Sequence, residues 1–295
     1  MTTAPAGAAV SGVRYTLLAL LFTFLWTSAF IVVKIGLRDA PPLFLMSSRF
    51  FVAGGALLGY AAWRGRPLPA RARDWWPIVL LGLLNFAGYL GFTALSLREI
   101  SAGMGAVLAS TNPLLLALGA AWLLGERLTV LKVAGLLVSF GGVTWIMESR
   151  LGSDNTPRGM VFAFLAVASL VAGTLVFKKI GTGHDRLVTT AGQLLTAGVV
   201  LGVPSLLWEP IGSVRWTASY LAVQAYLIVG LSWVAMLIWF WLLAHGDATR
   251  ASAYFFLNPV LGLFLGALVL GEPLRGADFA GALAVALGIW LVQRA

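Results

Sequence analysis

Two stretches of the chain repeat the same polar residues at the same spacing. Residues 110–128 read STNPLLLALGAAWLLGERL, and residues 256–274 read FLNPVLGLFLGALVLGEPL. Asn112–Pro113 and Asn258–Pro259 lie 146 residues apart, as do Glu126 and Glu272. An asparagine carboxamide donates and accepts, so it can bind a polar solute or a stray backbone carbonyl. A proline inside a helix removes one backbone hydrogen bond and clashes with the carbonyl four residues back, here at Ala109 and Phe255. These pairs suit recognition and bending. They do not suit bond-making.

Groups that could make or break bonds are scarce. There is no cysteine, which excludes disulfides, thiolate nucleophiles and cysteine metal sites. The two histidines, His184 and His245, sit in the polar stretches GTGHDR and AHGDATR. No GxxxxGK[ST] phosphate loop occurs. All 11 acids fall at loops or at the edges of apolar runs. The sequence therefore implies no cofactor, no metal site and no catalytic residue. A proton relay on a buried carboxylate is not expected either.

Polar and aromatic residues in the interiors of the apolar runs are the candidates for contact with a solute: Trp26 with Ser28, Asn85, Tyr89, Ser110, Thr111, Asn112, Ser232, Trp233, Trp239, Ser252, Tyr254, Phe255 and Asn258. Asn85 and Tyr89 are four apart and share a helix face, as do Tyr254 and Asn258. Together they would line a neutral, aromatic, amphipathic hollow, suited to a small zwitterion with an apolar side chain. The competing reading is that the polar groups bond between helices and the tryptophans face lipid. The second reading is preferred for Trp75, Trp76, Trp216 and Trp290, near the ends of runs; for Trp26 and Trp233 both stay open. Arg49, early in the second run, is expected to snorkel to the outer surface, with an outer gate or carboxylate steering as the other readings.

The elements that must position these residues follow from composition. The chain has 295 residues, 60% of them hydrophobic and only 11% charged, and its mean hydropathy is +0.92. Soluble domains average about 25% charged residues. A bilayer core takes about 20 apolar residues per helix, and ten such spans are predicted: 15–37, 43–63, 76–96, 101–124, 128–147, 158–181, 187–208, 217–243, 247–270 and 274–292. The loops leave no room for a soluble domain. The first run is too long for a signal-peptide core of about 7–15 residues, so it is read as a retained helix. The segment RGRPLPARARD, with Arg64, Arg66, Arg71 and Arg73, is expected on the cytoplasmic side, which puts both termini there. The net charge of +9 reflects such loops rather than nucleic-acid binding.

The duplication runs without a gap from Ala102 to Gly142, and FIVVKIG (30–36) pairs with LVFKKIG (175–181). Residues 1–14 are read as a cytoplasmic tail, 15–147 as a first five-helix repeat, and 158–292 as a second. Five is odd, so the second repeat enters the membrane inverted, an arrangement with a substrate site between the halves near mid-membrane. The fold class expected is all-α: ten transmembrane helices as two inverted five-helix repeats around a central cavity. Pro113 and Pro259 are expected to kink mid-span helices as hinges. Either they are packing kinks tied by asparagine, or they also shape the cavity; the matching positions favour the cavity. Glu126 and Glu272 are expected to cap the helices that they open. Gly135 and Gly142, mirrored at Gly281 and Gly288, and the pairs Gly55/Gly59 and Gly262/Gly266 are expected to allow close helix packing.

The paired NP…GERL and NP…GEPL blocks, preceded by SAGMGAVLAS and DATRASAYFF, resemble the drug/metabolite transporter superfamily and its ten-helix EamA-type exporters, over nearly the whole chain. Within that family the chain looks most like bacterial inner-membrane exporters of aromatic amino acids. The resemblance implies alternating access around a cavity lined by spans 1, 3, 4, 6, 8 and 9, with spans 5 and 10 peripheral and often a homodimer contact. The function expected is inner-membrane transport of small metabolites, exporting amino acids with aromatic ones included. Export of other metabolites or of amphipathic drugs is the alternative. An intramembrane enzyme would need a nucleophile with a base, which is not visible, and a receptor would have no use for the inverted repeat. Expected partners are the small-molecule substrate and membrane lipids.

Overall fold

The computed structural model describes residues 12–96, 99–100, 108–148, 156–181, 183–270 and 276–295. The secondary structure among them is helical: α1 (Gly12–Gly36), α2 (Pro42–Trp63), α3 (Ala72–Ser96), α4 (Asn112–Leu124), α5 (Val130–Glu148), α6 (Pro157–Ile180), α7 (Arg186–Trp208), α8 (Ala218–His245), α9 (Ala248–Ala253), α10 (Leu257–Leu270) and α11 (Gly276–Arg294). Seven of these are long and apolar enough to cross a membrane, namely α1, α2, α3, α6, α7, α8 and α11, and two shorter apolar helices are Asn112–Leu124 and Val130–Ile146. This is a multi-pass membrane protein.

Local sequence explains most helix ends. Pro42 sits in the first turn of α2 and Pro157 in that of α6, where a missing N–H is no loss. Thr156, Asp185 and Thr217 cap α6, α7 and α8 by accepting from the N–H groups of Gly159, Leu187 and Tyr220. Gly125, at φ 68°, ends α4 in the left-handed region that favours glycine.

Polar contacts between loops sort the bundle into two ends. At one end Arg66 pairs with Asp185 (3.5 Å) and Lys132 with Asp247 (3.4 Å), while Lys178 donates to the Gly246 carbonyl. At the other, Arg215 pairs with Asp39 (2.8 Å) and Arg158 with Glu99 (3.4 Å), and Glu209 accepts from the N–H groups of Leu43 and Phe44. Successive long helices run between these ends.

Glycine faces decide two helix pairs. A Cβ built on Gly135 would lie 2.6 Å from the Gly288 carbonyl oxygen, and one on Gly142 would lie 2.8 Å from that of Gly281. The α5 and α11 backbones therefore touch at two points and run antiparallel. The glycine faces of these two helices meet each other within one chain, not a second copy. Likewise Gly54 packs on Leu195, and Phe51 on Gly198 and Gly202, so α2 and α7 are antiparallel neighbours. The Gly55/Gly59 pair is a correction: a Cβ at either would meet nothing within 4 Å, and both residues are exposed. A Cβ on Gly262 would reach only a loose 3.8 Å contact with Thr27.

The Asn-Pro positions are a second correction. They do not kink continuous helices; the helices break there. A turn occupies Ser110 and Thr111, closed by the Thr111 N–H and hydroxyl on the Leu108 carbonyl (3.1 and 2.6 Å), and α4 starts afresh at Asn112. Pro113 thus falls in a first turn and leaves no intrahelical bond missing. In the other half a 3₁₀ turn, Tyr254–Phe256, separates α9 from α10, and the Leu257 N–H turns back to the Tyr254 and Phe255 carbonyls. Pro259 again lies in the first turn of the new helix.

Glu126 caps a helix, but not the one that it opens. Its carboxylate accepts from the Ala248 N–H (2.9 Å) and from the Thr249 N–H and hydroxyl (3.4 and 2.9 Å), holding the start of α9. Its own neighbour α5 is started by Thr129, whose hydroxyl accepts from the Lys132 N–H. Glu272 lies outside the described residues.

Candidate functional site

Both helices that follow the first two in each half contain a wide π turn in mid-course, over Leu83–Gly88 in α3 and Leu227–Ala235 in α8. The two begin 144 residues apart. The Tyr89 N–H reaches the Leu84 carbonyl, five residues back, and the Met236 N–H reaches Leu231. In lipid a loosened carbonyl must find another donor. Ser169 of α6 supplies its hydroxyl to Leu84 at 2.9 Å, and Ser232 supplies its own to Leu227 at 3.1 Å. Such bulges commonly mark functional sites. Sequence reasoning missed both. Their trace is the polar residue in each, Asn85 and Ser232, set among apolar neighbours.

Around these turns a buried aromatic cluster gathers side chains from α1, α3, α8 and the 3₁₀ turn. Trp26 stacks on Tyr89 (5.9 Å between centroids, planes 10° apart) and meets Phe255 edge-on at 6.1 Å. Phe22, one turn before Trp26, stacks on Trp239 at 5.2 Å, and Phe255 closes the group against both, at 5.6 Å from Phe22 and 5.2 Å from Trp239. Aromatic pairs of this kind contribute about 0.5–1.5 kcal/mol each beyond burial. The structure brings together Trp26, Tyr89 and Phe255, and adds Phe22. The signal for Phe22 was its position four residues from Trp26, on the same helix face.

The expected polar residues divide by what they bond. Asn85 and Asn112 are buried, and neither carboxamide atom of either has a hydrogen-bond partner among the described residues. Asn85 points at α6, where even a methyl group at Gly173 would collide with its oxygen. By contrast, the Asn258 oxygen accepts from the Thr27 hydroxyl at 3.0 Å, and the Tyr254 hydroxyl donates to Thr16 at 3.3 Å. The Trp233 indole N–H is fixed to the Ala53 carbonyl of α2 at 3.0 Å, so its polar end serves packing. Ser110 is buried in the turn before Asn112. Ser28 of α1 and Tyr226 of α8 share a 2.5 Å hydroxyl contact. A buried polar group without a partner is destabilising by about 1–3 kcal/mol, so unpaired Asn85 and Asn112 are sites where a solute could make up the bond.

Of the tryptophans expected at lipid-facing ends, Trp76, Trp216 and Trp290 are exposed, whereas Trp75 is half-buried and donates to the Pro69 carbonyl. Arg49 does the opposite of snorkelling. It is only 4% exposed, its Nε is buried without a partner, and no ion pair engages it among the described residues. Its backbone lies two turns into α2, and the side chain runs inward rather than along the helix to the surface.

Comparison with known proteins agrees with this architecture. The EamA-like transporter family matches the chain twice, over residues 13–148 and 157–294. The uncharacterized transporter YvbV of Bacillus subtilis is 29% identical over 281 residues, covering 95% of this chain and 92% of its own length. The uncharacterized transporter sll0355 of Synechocystis is 27% identical over 92% of this chain, and the uncharacterized inner membrane transporter YedA of Escherichia coli is 28% identical over 90%. A solved crystal structure superposes with a TM-score of 0.79 at 22% identity, covering 96% of this chain and 98% of its own, which shows a shared fold. The chain belongs to the EamA-like transporter family, which points to a transporter and not an enzyme.

Proposed function

We propose that this EamA-family chain exports small metabolites across a bacterial inner membrane by alternating access, with amino acids, aromatic ones included, as its substrates. The observation that carries the reading is the pairing of buried, unpartnered Asn85 with the aromatic cluster one turn away at Tyr89 and Trp26. Carboxamides suit the polar end of an amino acid, and stacked rings suit an apolar or aromatic side chain. Asn112 and Phe255 extend the same two surfaces.

The moving parts in this proposal are two inverted halves, residues 15–147 and 158–292, counted as ten spans with 247–270 as one broken span. Several features support inversion. The equivalent helices α2 and α7 run antiparallel, as do α5 and α11. The π turns and the helix breaks recur at matching places in the two halves. The basic 64–74 loop supports a cytoplasmic side for its end of the bundle. Pro113 and Pro259 act as hinges by holding the breaks open, since a proline cannot donate a bond to bridge them.

The test is counterflow in proteoliposomes with a panel of labelled amino acids, amphipathic amines and unrelated metabolites. Exchange of phenylalanine, tyrosine or tryptophan is the expected result. Exchange confined to amphipathic amines would replace this reading with drug export. Among the described residues the acids sit in loops or at helix ends, so a facilitative or exchange mechanism is proposed, and strong uphill accumulation driven by a pH gradient alone would overturn it.

A further inference from the structure

The mechanism above makes no use of the most unusual charge in the bundle. Arg49 is 96% hidden, its Nε has no partner, and no carboxylate pairs with it among the described residues. Its close contact is the Phe50 ring, 4.5 Å from the guanidinium carbon. Neighbours along α2 fix the direction in which it points. Phe51 packs on Gly198 and Gly202 of α7. Ser48 accepts from the Gln224 amide of α8, and Phe50 meets Phe86 in the π turn of α3. With 100° per residue, position 49 falls between the α3 and α8 directions and opposite α7. The guanidinium therefore enters the bundle interior between the two helices that carry the π turns. Unpartnered Asn85 adjoins Phe86 on one side, and the unpartnered Gln224 oxygen lies on the other.

Acids at this end of the bundle are already engaged. Asp39 holds Arg215 and Thr217, and Glu209 holds the start of α2 together with Ser205. A buried guanidinium without an internal anion calls for one from outside, and its planar fork matches a carboxylate through two parallel bonds.

We infer that Arg49 is the carboxylate anchor of the transported solute, so that the substrates are carboxylate-bearing small molecules with an apolar or aromatic body. This rests on the carrier reading above and deepens it. An amino acid held this way places its carboxylate on Arg49 and its side chain toward the Trp26–Tyr89 stack. The ammonium group meets carboxamide oxygens, not an acid, so the site selects for the carboxylate more strongly than for the amine.

The experiment uses the purified full chain, with binding read by intrinsic tryptophan fluorescence and counterflow read in proteoliposomes. Probes are phenylalanine, 3-phenylpropanoate (no ammonium) and phenethylamine (no carboxylate). Wild type is expected to bind the two carboxylates at least tenfold tighter than the amine. Arg49→Met is expected to lose that preference through weaker carboxylate binding, with amine binding unchanged, and Arg49→Lys to restore part of it. Retention of the tenfold preference in Arg49→Met overturns the inference. So does loss from Arg49→Met of co-purifying phosphatidylglycerol with carboxylate preference intact, which would give the guanidinium to a lipid headgroup. If Arg49→Met does not fold, wild type decides alone: equal affinity for phenethylamine and phenylpropanoate overturns the inference. The two readings fail separately. Exchange of phenylpropanoate without any amino acid would keep Arg49 as anchor and remove amino acids as substrates. Exchange of amino acids with Arg49→Met unchanged in preference would do the reverse.

Discussion

Replacing Asn112 by leucine separates a binding residue from a structural one. Asn112 opens α4 with its carboxamide 3% exposed and with no partner on either polar atom among the described residues. Leucine has nearly the same shape without the polar atoms. Removing an unsatisfied buried group relieves about 1–3 kcal/mol, and near-isosteric repacking costs less than about 1.5 kcal/mol. The net effect on stability runs from a loss of about 0.5 kcal/mol to a gain of about 3 kcal/mol. Transport should move the other way. A hydrogen bond between carboxamide and solute contributes about 0.5–1.5 kcal/mol, so Asn112→Leu should weaken apparent affinity roughly two- to twelvefold at about 1.4 kcal/mol per decade. Thermal unfolding of the purified protein, read beside counterflow of labelled phenylalanine, measures both. An unchanged or raised midpoint with slower exchange is the expected pair. A midpoint lowered by several degrees with full exchange would show that Asn112 is a structural tie, and the argument from unpaired carboxamides would be wrong.

Other outcomes follow from the same geometry. Tyr89→Ala removes the ring stacked on Trp26 and should slow amino acid exchange severalfold, whereas Tyr89→Phe keeps the stack and should exchange at near wild-type rates; equal rates for both variants would take the ring out of the site. Glu126→Ala deprives the start of α9 of its carboxylate and should lower stability by about 1–3 kcal/mol in thermal melts, more than Glu148→Ala at an exposed helix end. Gly142→Leu forces a side chain against the Gly281 carbonyl and should separate α5 from α11, with a loss of about 1–3 kcal/mol or failure to fold, while Gly59→Leu, facing open space, should be tolerated. Monodispersity on size exclusion and melting midpoint read both.

Legibility in the sequence followed the range of the physics involved. Composition and run length are properties of consecutive residues, and they were enough for a multi-pass helical protein with short loops. The doubled Asn-Pro block and the mirrored glycines 135, 142, 281 and 288 were equally plain, because a repeat is visible without knowing who touches whom. Trp26, Tyr89 and Phe255 could be named because each stands near polar residues inside an apolar run: Trp26 beside Thr27 and Ser28, Tyr89 one turn from Asn85, and Phe255 between Ser252 and Asn258.

What only the tertiary structure decided concerns partners distant in the chain. Glu126 looks like a cap for the helix beside it, but the open N–H groups within reach belong to Ala248 and Thr249, 122 residues or more away. Pro113 reads as a kink in a continuous run, and becomes a first-turn residue because the Ser110–Thr111 turn closes on Leu108 before it. Trp233 reads as interior or lipid-facing with equal ease, and Arg49 reads as a snorkelling surface residue; a carbonyl at Ala53 claims the first, and the space between α3 and α8 takes the second. Periodicity assigns a residue to a helix face, but which helix that face meets, and so whether a donor is satisfied or left waiting, depends on packing across the whole bundle.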